Sequence, residues 1–432
     1  MKILTKFSLA AKKLLQKFII TTELYGVNGL ANHAAAGAYG FLLSLAPMVL
    51  IIVISILFVL KPSQQEITAL LGNISFLSEF FDERRLTGNI NVSLNSVSGV
   101  ISILSILWAT RILALSVRRG LVVIFPEKKK RNPVMNTVII IVIDAVILLC
   151  VFMAVISSRT AIYLYKLFDF IPAFTAIERF IPIIALGLIS FFAYLFVPIN
   201  SPRKLSALQG AFLCTAAYGI TAMVLRFFLD QTRINFLYGA LGNMIFLLIN
   251  VYFFFTFFFL GAEFAFVADT FDALFFSKLR QVRTLKNKKG KLLKKLINSI
   301  SLKLFSAENN LVKYLRVYKK NEIIVSKGDS DEEIFYLLEG EVEILLSSSQ
   351  DNIRPAGVLK ADSFFGEMGY LLSEERSATI RAKTDISALM LPPSLFETIL
   401  DYDKTLDRDI IEHMSRRIKS TNDYIRKLTS DK

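Results

Sequence analysis

Cysteine, histidine and tryptophan are nearly missing from this 432-residue chain, which has two cysteines, two histidines and one tryptophan. Cys150 and Cys214 both fall inside apolar runs, so no disulfide framework is expected. His33 and His413 are too few for a His/Asp metal cluster, and no metal ligand or catalytic residue is assigned. Negative charge is also short: 36 Asp and Glu stand against 50 Lys and Arg, a formal charge of +14. The basic residues flank apolar runs rather than forming one field, which favours an anionic membrane surface over nucleic acid. The first 20 residues keep interrupting their apolar positions with lysine and offer no small-residue cleavage site, so they do not read as a secretory signal. A basic helix lying on the inner leaflet is the expectation for that segment.

Apolar side chains are plentiful. They make up 54% of the chain, with 37 phenylalanines and a mean hydropathy of +0.52. The excess ends near Phe276, and the bilayer is the expected solvent for what precedes it. Six runs are long enough, at about 1.5 Å per residue, to cross a core of roughly 30 Å. They are Ala34–Leu60, Val97–Val117, Asn136–Ser158, Phe180–Pro198, Ala207–Leu229 and Leu241–Ala268. The second is the most polar, with Ser98, Ser102, Ser105 and Arg111. Lys and Arg crowd the N-terminal segment, the connection from Arg118 to Arg131, the short Arg203-Lys204 connection and the stretch from Lys278 to Lys295. The alternate connections are nearly neutral. An even number of spans with this alternation puts both termini in the cytoplasm.

Two stretches of the apolar half carry a resemblance. The first holds Ala34-Ala35-Ala36, Ala38-Tyr39 and Leu42-Leu43-Ser44-Leu45-Ala46-Pro47; the second runs from Tyr238-Gly239-Ala240-Leu241-Gly242 to Leu260-Gly261-Ala262-Glu263. Residues 15–275 resemble the YihY/BrkB family of six-span bacterial inner-membrane proteins, departing from its pattern at Gly40 and Phe41. Small residues let helices approach closely, and a packing role alone accounts for these motifs as well as a functional one. Ionisable residues within the runs are the sharper clue, because each is costly unless paired or wetted. Arg111, Asp144 and Glu263 stand at similar depth, roughly 8–12 Å from the cytoplasmic helix ends. One reading has them lining a cytoplasm-facing cavity or ion path; the other makes them a structural ion pair with a third charge reaching the interface.

From about Leu311 the pattern changes to short alternating segments such as Glu341-Val342-Glu343-Ile344, separated by turns such as Gly328-Asp329. The most specific motif of the chain lies here: Phe365-Gly366-Glu367-Met368-Gly369-Tyr370-Leu371-Leu372, then Arg376-Ser377-Ala378-Thr379-Ile380. Residues 305–428 resemble the cyclic nucleotide-binding domains, closest to the bacterial catabolite-activator type. A cyclic phosphodiester needs a guanidinium and free backbone N–H groups, which Arg376 and a helix starting after Gly366 would supply. Glu367 would accept the ribose 2′-hydroxyl proton, and Ser377 would add a hydroxyl to the phosphate. The resemblance adds Thr421 and Asn422, on the last helix, as purine contacts, and Met368 within the cassette. It implies a regulatory ligand, cAMP favoured, and no other cofactor. A roll of the same fold that has lost its ligand is the alternative. The catabolite activators carry a helix-turn-helix after this domain, for which Lys432 comes too soon, so DNA is not an expected partner.

The expected architecture is therefore an α-helical membrane bundle of six transmembrane helices with a C-terminal cytoplasmic β-roll, of jelly-roll type, and flanking helices. Its expected parts are a basic N-terminal segment 1–33, a membrane domain 34–276, a basic amphipathic linker 277–307 and a sensor domain 308–432. The linker is read as transmitting ligand-driven movement of the helix Asp403–Leu428 to the last span, and that helix is also a candidate homodimer face. The leading function is a transporter or permeation pathway regulated by cyclic nucleotide. Its alternatives are a non-transporting scaffold, and least of all a ribonuclease-type enzyme. A voltage-gated channel is disfavoured, since no potassium-filter sequence separates the runs and Arg111, Arg118 and Arg119 lack the every-third spacing of a voltage sensor.

Overall fold

The computed structural model describes residues 2–44, 97–127, 138, 172–228, 240–286, 310–348 and 352–403, with scattered positions from 406 to 415. The chain divides into two compact units, one of Phe18–Asp269 and one of Met1–Lys17 with Thr270–Lys432.

In the first unit, helix α1 (Lys2–Val27) ends as its residues dictate. Asn28 returns its N–H to Leu24 and Gly29 takes the left-handed conformation, φ +63°, that closes a helix without a Cβ penalty. Residues 30–44 are helical again (α2), carrying the Ala-rich motif. Then come α3 (Val97–Ile124), α4 (Pro172–Phe196), α5 (Lys204–Phe228) and α6 (Ala240–Asp269). Helix α3 continues past the expected end at Val117, so Arg118 and Arg119 lie on it rather than in a connection. Among the described residues two helices are long and apolar enough to cross a membrane, Lys204–Leu225 and Ile245–Asp269, with a shorter apolar helix at Ile183–Phe196. The first and third expected runs lie largely outside the described residues. Phe212, Met223 and Ile220 on α5 are 75%, 74% and 66% exposed, an outward apolar face that lipid would cover and water would not tolerate.

Small residues set how closely these helices cross. Gly210 on α5 lies against the Gly261 carbonyl on α6, and a Cβ on Gly261 would stand 2.5 Å from the Gly210 carbonyl oxygen and 2.8 Å from the Tyr194 hydroxyl. That hydroxyl donates to the Phe258 carbonyl at 2.7 Å. Gly37 seats the Phe255 ring, and Gly40 brings α2 within 3.3 Å of the Leu113 Cα on α3, measured from the Cβ it lacks. The Gly40 departure from the family pattern is thus a backbone contact.

The second unit holds the β-roll. Its strands are β1 (Leu315–Tyr318), β2 (Ile323–Val325), β3 (Ile334–Glu339), β4 (Glu341–Ser348), β5 (Asn352–Lys360), β6 (Phe364–Phe365), β7 (Thr379–Ala382) and β8 (Ile386–Leu391). Two four-stranded antiparallel sheets form, ordered β1-β8-β3-β6 and β2-β7-β4-β5. The inner face is apolar, with Phe335, Leu337, Val342, Phe365, Ile380 and Ala388 at its centre. Strand β3 abandons alternation: Ile334 to Leu338 are all buried. It is covered on both faces, because Tyr336 on its outer side packs 5.1 Å from the ring of Phe276.

Phe276 belongs to α7 (Phe271–Lys286), where the sequence suggested the end of a span and the start of a linker. Ser277, Leu279, Arg280 and Val282 are buried, and α7 packs on α9 (Pro393–Tyr402), the helix after the roll. The lysine-rich remainder from 287 to 309 lies outside the described residues. The start of α1 belongs to this unit too: Gln16 accepts the Asn310 amide at 2.6 Å, and the Lys13 and Lys17 ammonium groups stand 5.3 and 5.6 Å over the Phe271 ring.

Replacing Gly261 by Val should weaken the α5–α6 crossing by roughly 1–3 kcal/mol, read as a lower midpoint of thermal unfolding in detergent. An unchanged midpoint would mean the helices do not cross this closely. Tyr336 gives a pH test. Burial, then the neighbouring Asp362 charge, pushes its phenol up. Its stabilisation is complete below the unfolded value of about 10 and is lost as the pH rises toward the folded one. Tyr336→Phe should flatten the alkaline loss of stability in urea titrations and lower neutral stability by about 1 kcal/mol. An alkaline limb as steep as the wild type's would assign that loss to other groups.

Candidate functional site

A recess of the β-roll lies where β6 hands over to α8 (Glu367–Leu372). Gly366 makes the turn at φ +79°, which a side chain would adopt only under strain, and a Cβ there would meet the Arg376 Nη1 at 3.0 Å and the Glu333 carbonyl at 3.2 Å. Val325, Ile344 and Ile380 form an apolar floor. Gly366 to Gly369 and Arg376 to Ala378 form the rim of an open cavity of about 390 Å³ including its mouth.

Arg376 is 4% exposed, and a buried guanidinium needs partners. Nη1 donates to the Gly366 carbonyl at 2.5 Å and Nη2 to the Glu333 carbonyl at 2.8 Å, while Nε has no hydrogen-bond partner. Its backbone is held as firmly. The Arg376 N–H donates to the Asp329 carbonyl at 3.0 Å and its own carbonyl accepts the Gly328 N–H at 2.9 Å. Gly328 sits at φ +87°, and the Asp329 carboxylate accepts the Ser326 N–H at 3.0 Å, which closes the β2–β3 turn. Glu367, 5% exposed, lies in the first turn of α8. The arrangement places a positive, donor-rich group and an acceptor within one small recess over an apolar floor, which suits a compact anion carrying a flat apolar body.

The structure brings Gly366, Glu367, Met368, Arg376 and Ser377 to this one recess. Ser377 is exposed at its rim, and Thr421 and Asn422 lie outside the described residues. Val325, Ile344 and the Glu333 carbonyl were not singled out as site groups, because carbonyl and apolar contacts leave no residue-type signature. Gly328-Asp329 did stand out as a turn, and its service to Arg376 appears only when β2 and β7 pair.

In the other unit, Glu263 is fully buried, and the Asn28 amide donates to its two oxygens at 3.2 and 3.4 Å. Arg111 is exposed on α3, and Asp144 lies outside the described residues. The polar neighbour that the structure gives Glu263 is thus an amide from the end of α1, a residue the charge pattern could not point to.

Comparison with known proteins divides the chain in the same way. The family model described as cyclic nucleotide-binding domain matches residues 315–403, and the one described as Virulence factor BrkB matches residues 23–275. The cAMP-activated global transcriptional regulator Vfr of Pseudomonas aeruginosa is 28% identical over 110 residues, 24% of this chain and 51% of its own length. The cAMP-activated global transcriptional regulator CRP of Salmonella typhimurium is 22% identical over 113 residues, 26% of this chain and 54% of its own. A cyclic nucleotide-gated potassium channel of Rhizobium etli is 33% identical over 76 residues, 18% of this chain and 20% of its own. The chain therefore spans about half the length of the two regulators and a fifth of the channel. With its buried small-residue helix crossings, its outward apolar faces and a matched region covering more than half its length, this chain belongs to the BrkB family of membrane proteins and carries a cyclic nucleotide-binding domain behind it.

Proposed function

We propose that this chain is a six-span bacterial inner-membrane transporter or permeation pathway, with both termini cytoplasmic, whose activity is set by cAMP binding to the β-roll. The observation that carries the sensor half is Arg376, buried in the recess beside Glu367 and held from four sides. A cyclic phosphodiester would take its place against the guanidinium and the first turn of α8, with the ribose hydroxyl on Glu367 and the base over the apolar floor. The names of the two matched regulators as cAMP-activated support cAMP over other cyclic nucleotides. Thr421 and Asn422 are the proposed purine contacts, and the segment Asp403–Leu428 is the proposed homodimer face. The reading involves no other cofactor and no DNA.

The transport half rests on the buried Glu263, since an ionisable group inside an apolar helix marks a pathway more often than a fold requirement. Asp144 is the further member proposed for the cytoplasm-facing ion path, without Arg111, which is exposed on α3. The Rhizobium relative, named as a gated channel, supports coupling of such a domain to permeation. Lysines of the N-terminal segment other than Lys13 and Lys17, and those of the 287–309 stretch, would rest against anionic lipid.

Calorimetric titration of the purified chain with cAMP and cGMP tests the sensor. Arg376→Ala should weaken cAMP binding roughly 10–100-fold through loss of charge-assisted hydrogen bonds. Absence of heat for either nucleotide in the wild type would leave a roll that has lost its ligand. Release of trapped ions and small solutes from liposomes tests transport. Glu263→Gln and Asp144→Asn should each slow release, and unaltered release in both variants would remove the proposed path.

A further inference from the structure

We propose that α7, not the lysine-rich stretch after it, is the output element of the sensor, driven from the phosphate cassette through a buried aromatic chain and the Arg280–Asp403 ion pair. This rests on reading the β-roll as a cyclic-nucleotide sensor. The chain of rings begins inside the cassette. Tyr370, on the same six-residue helix as Glu367, meets Phe396 on α9 at 5.8 Å, edge to face. Phe396 meets Phe364 on β6 at 5.9 Å, and Phe364 lies 4.8 Å from Tyr336 and 6.1 Å from Phe276 on α7. Phe276 and Phe396 are fully buried. Close-packed rings do not deform independently, so a cassette that closes on a ligand must move or re-seat its neighbours.

The second link is a charge pair. Arg280 on α7 donates to the Asp403 Oδ2 at 3.0 Å, with both side chains less than a tenth exposed. Asp403 is the residue that ends α9, and its Oδ1 accepts the Leu406 N–H at 3.2 Å. One carboxylate therefore starts the segment after α9 and grips α7 at once. A change in the angle between α9 and that segment alters the grip. In a dry setting such a pair has two states, made or broken, rather than a graded one. Arg283, one turn further on α7, fixes the remainder of the helix to the roll through Asp362 at 2.7 Å and the Leu338 carbonyl at 2.6 Å. In sequence α7 begins at Phe271, two residues after α6 ends at Asp269, so its displacement is delivered to the last apolar helix with a single residue between.

Linkage makes this testable on the full chain in detergent without knowing the transported species. If the Arg280–Asp403 pair differs between ligand-free and ligand-bound states, breaking it must change ligand affinity. The cAMP dissociation constant is measured for wild type, Arg280→Gln, Asp403→Asn and the double variant, with Arg381→Gln, from the β4–β7 pair with Glu343, as control. Both single variants should shift the constant by about 5-fold or more in one direction, and the double variant no further than either. Amide hydrogen exchange on the wild type should change across residues 276–283 when cAMP is added. Constants within twofold of wild type, or exchange in α7 indifferent to cAMP, would make α7 a static strut and overturn the proposal. A wild type that binds neither cAMP nor cGMP would instead overturn the sensor reading on which it stands.

Discussion

A guanidinium withdrawn from water has to be met by acceptors, and around Arg376 those acceptors are almost all backbone. The Gly366 and Glu333 carbonyls take its side chain, and the Gly328-Asp329 turn takes its main chain. Backbone acceptors occupy fixed places only if the strands that carry them are paired in register. The β2–β7 pairing and the positive φ of Gly328 and Gly366 are therefore conditions for the charge to be buried at all. The apolar floor follows from the same requirement. It keeps water from competing for the donors, and it leaves the remaining donor capacity of Arg376 as the most attractive feature in the recess for an anion.

The membrane half is organised by an opposite rule, in which polarity is rare and shape does most of the discrimination. Lipid gives no hydrophobic advantage to one helix pairing over another, so close approach through glycine and alanine takes over. Gly210 against Gly261 and Gly40 against Leu113 are such approaches. Phenylalanines fill what the glycines leave open: Phe255 lies over Gly37 and Phe259 lies over Gly120. Against that background the buried Glu263 stands apart, being the one acidic residue between Ala240 and the end of the helix at Asp269.

The two halves were legible in the sequence to different depths. The cassette was readable because the run from Phe365 to Ile380 resembles that of cyclic nucleotide-binding domains, and the structure brings its Glu367 and Arg376 to one recess. Strand positions were readable where one face is wet, as at β4. They were harder to read at β3, which is covered on both faces and looks like any apolar run. Helix α7 was missed for a related reason. Its lysines and arginines suggested the start of a basic amphipathic linker, yet Arg280 and Arg283 are consumed by Asp403 and Asp362, partners 123 and 79 residues away that no local pattern displays. Depth estimates placed Arg111 near Glu263, but depth along a helix leaves its rotation free. Arg111 faces outward, and a short polar residue, Asn28, meets the carboxylate.

Asp269 carries a consequence for movement within the membrane half. It closes α6, and its Oδ1 accepts the Arg203 N–H at 3.2 Å and the Ser206 hydroxyl at 3.3 Å, at the start of α5. A carboxylate there favours the positive end of α5 and ties two antiparallel apolar helices together at one level. About one helical pitch or more along the pair lie Gly210 and Gly261, each against the other's carbonyl, with Ala265, Cys214 and Tyr194 packed around them. A pair pinned in this way at one end resists sliding, since a slip of even one residue would strip the cap. α5 and α6 are thus held at two levels, by the Asp269 carboxylate at one end and by the close glycine crossing further along.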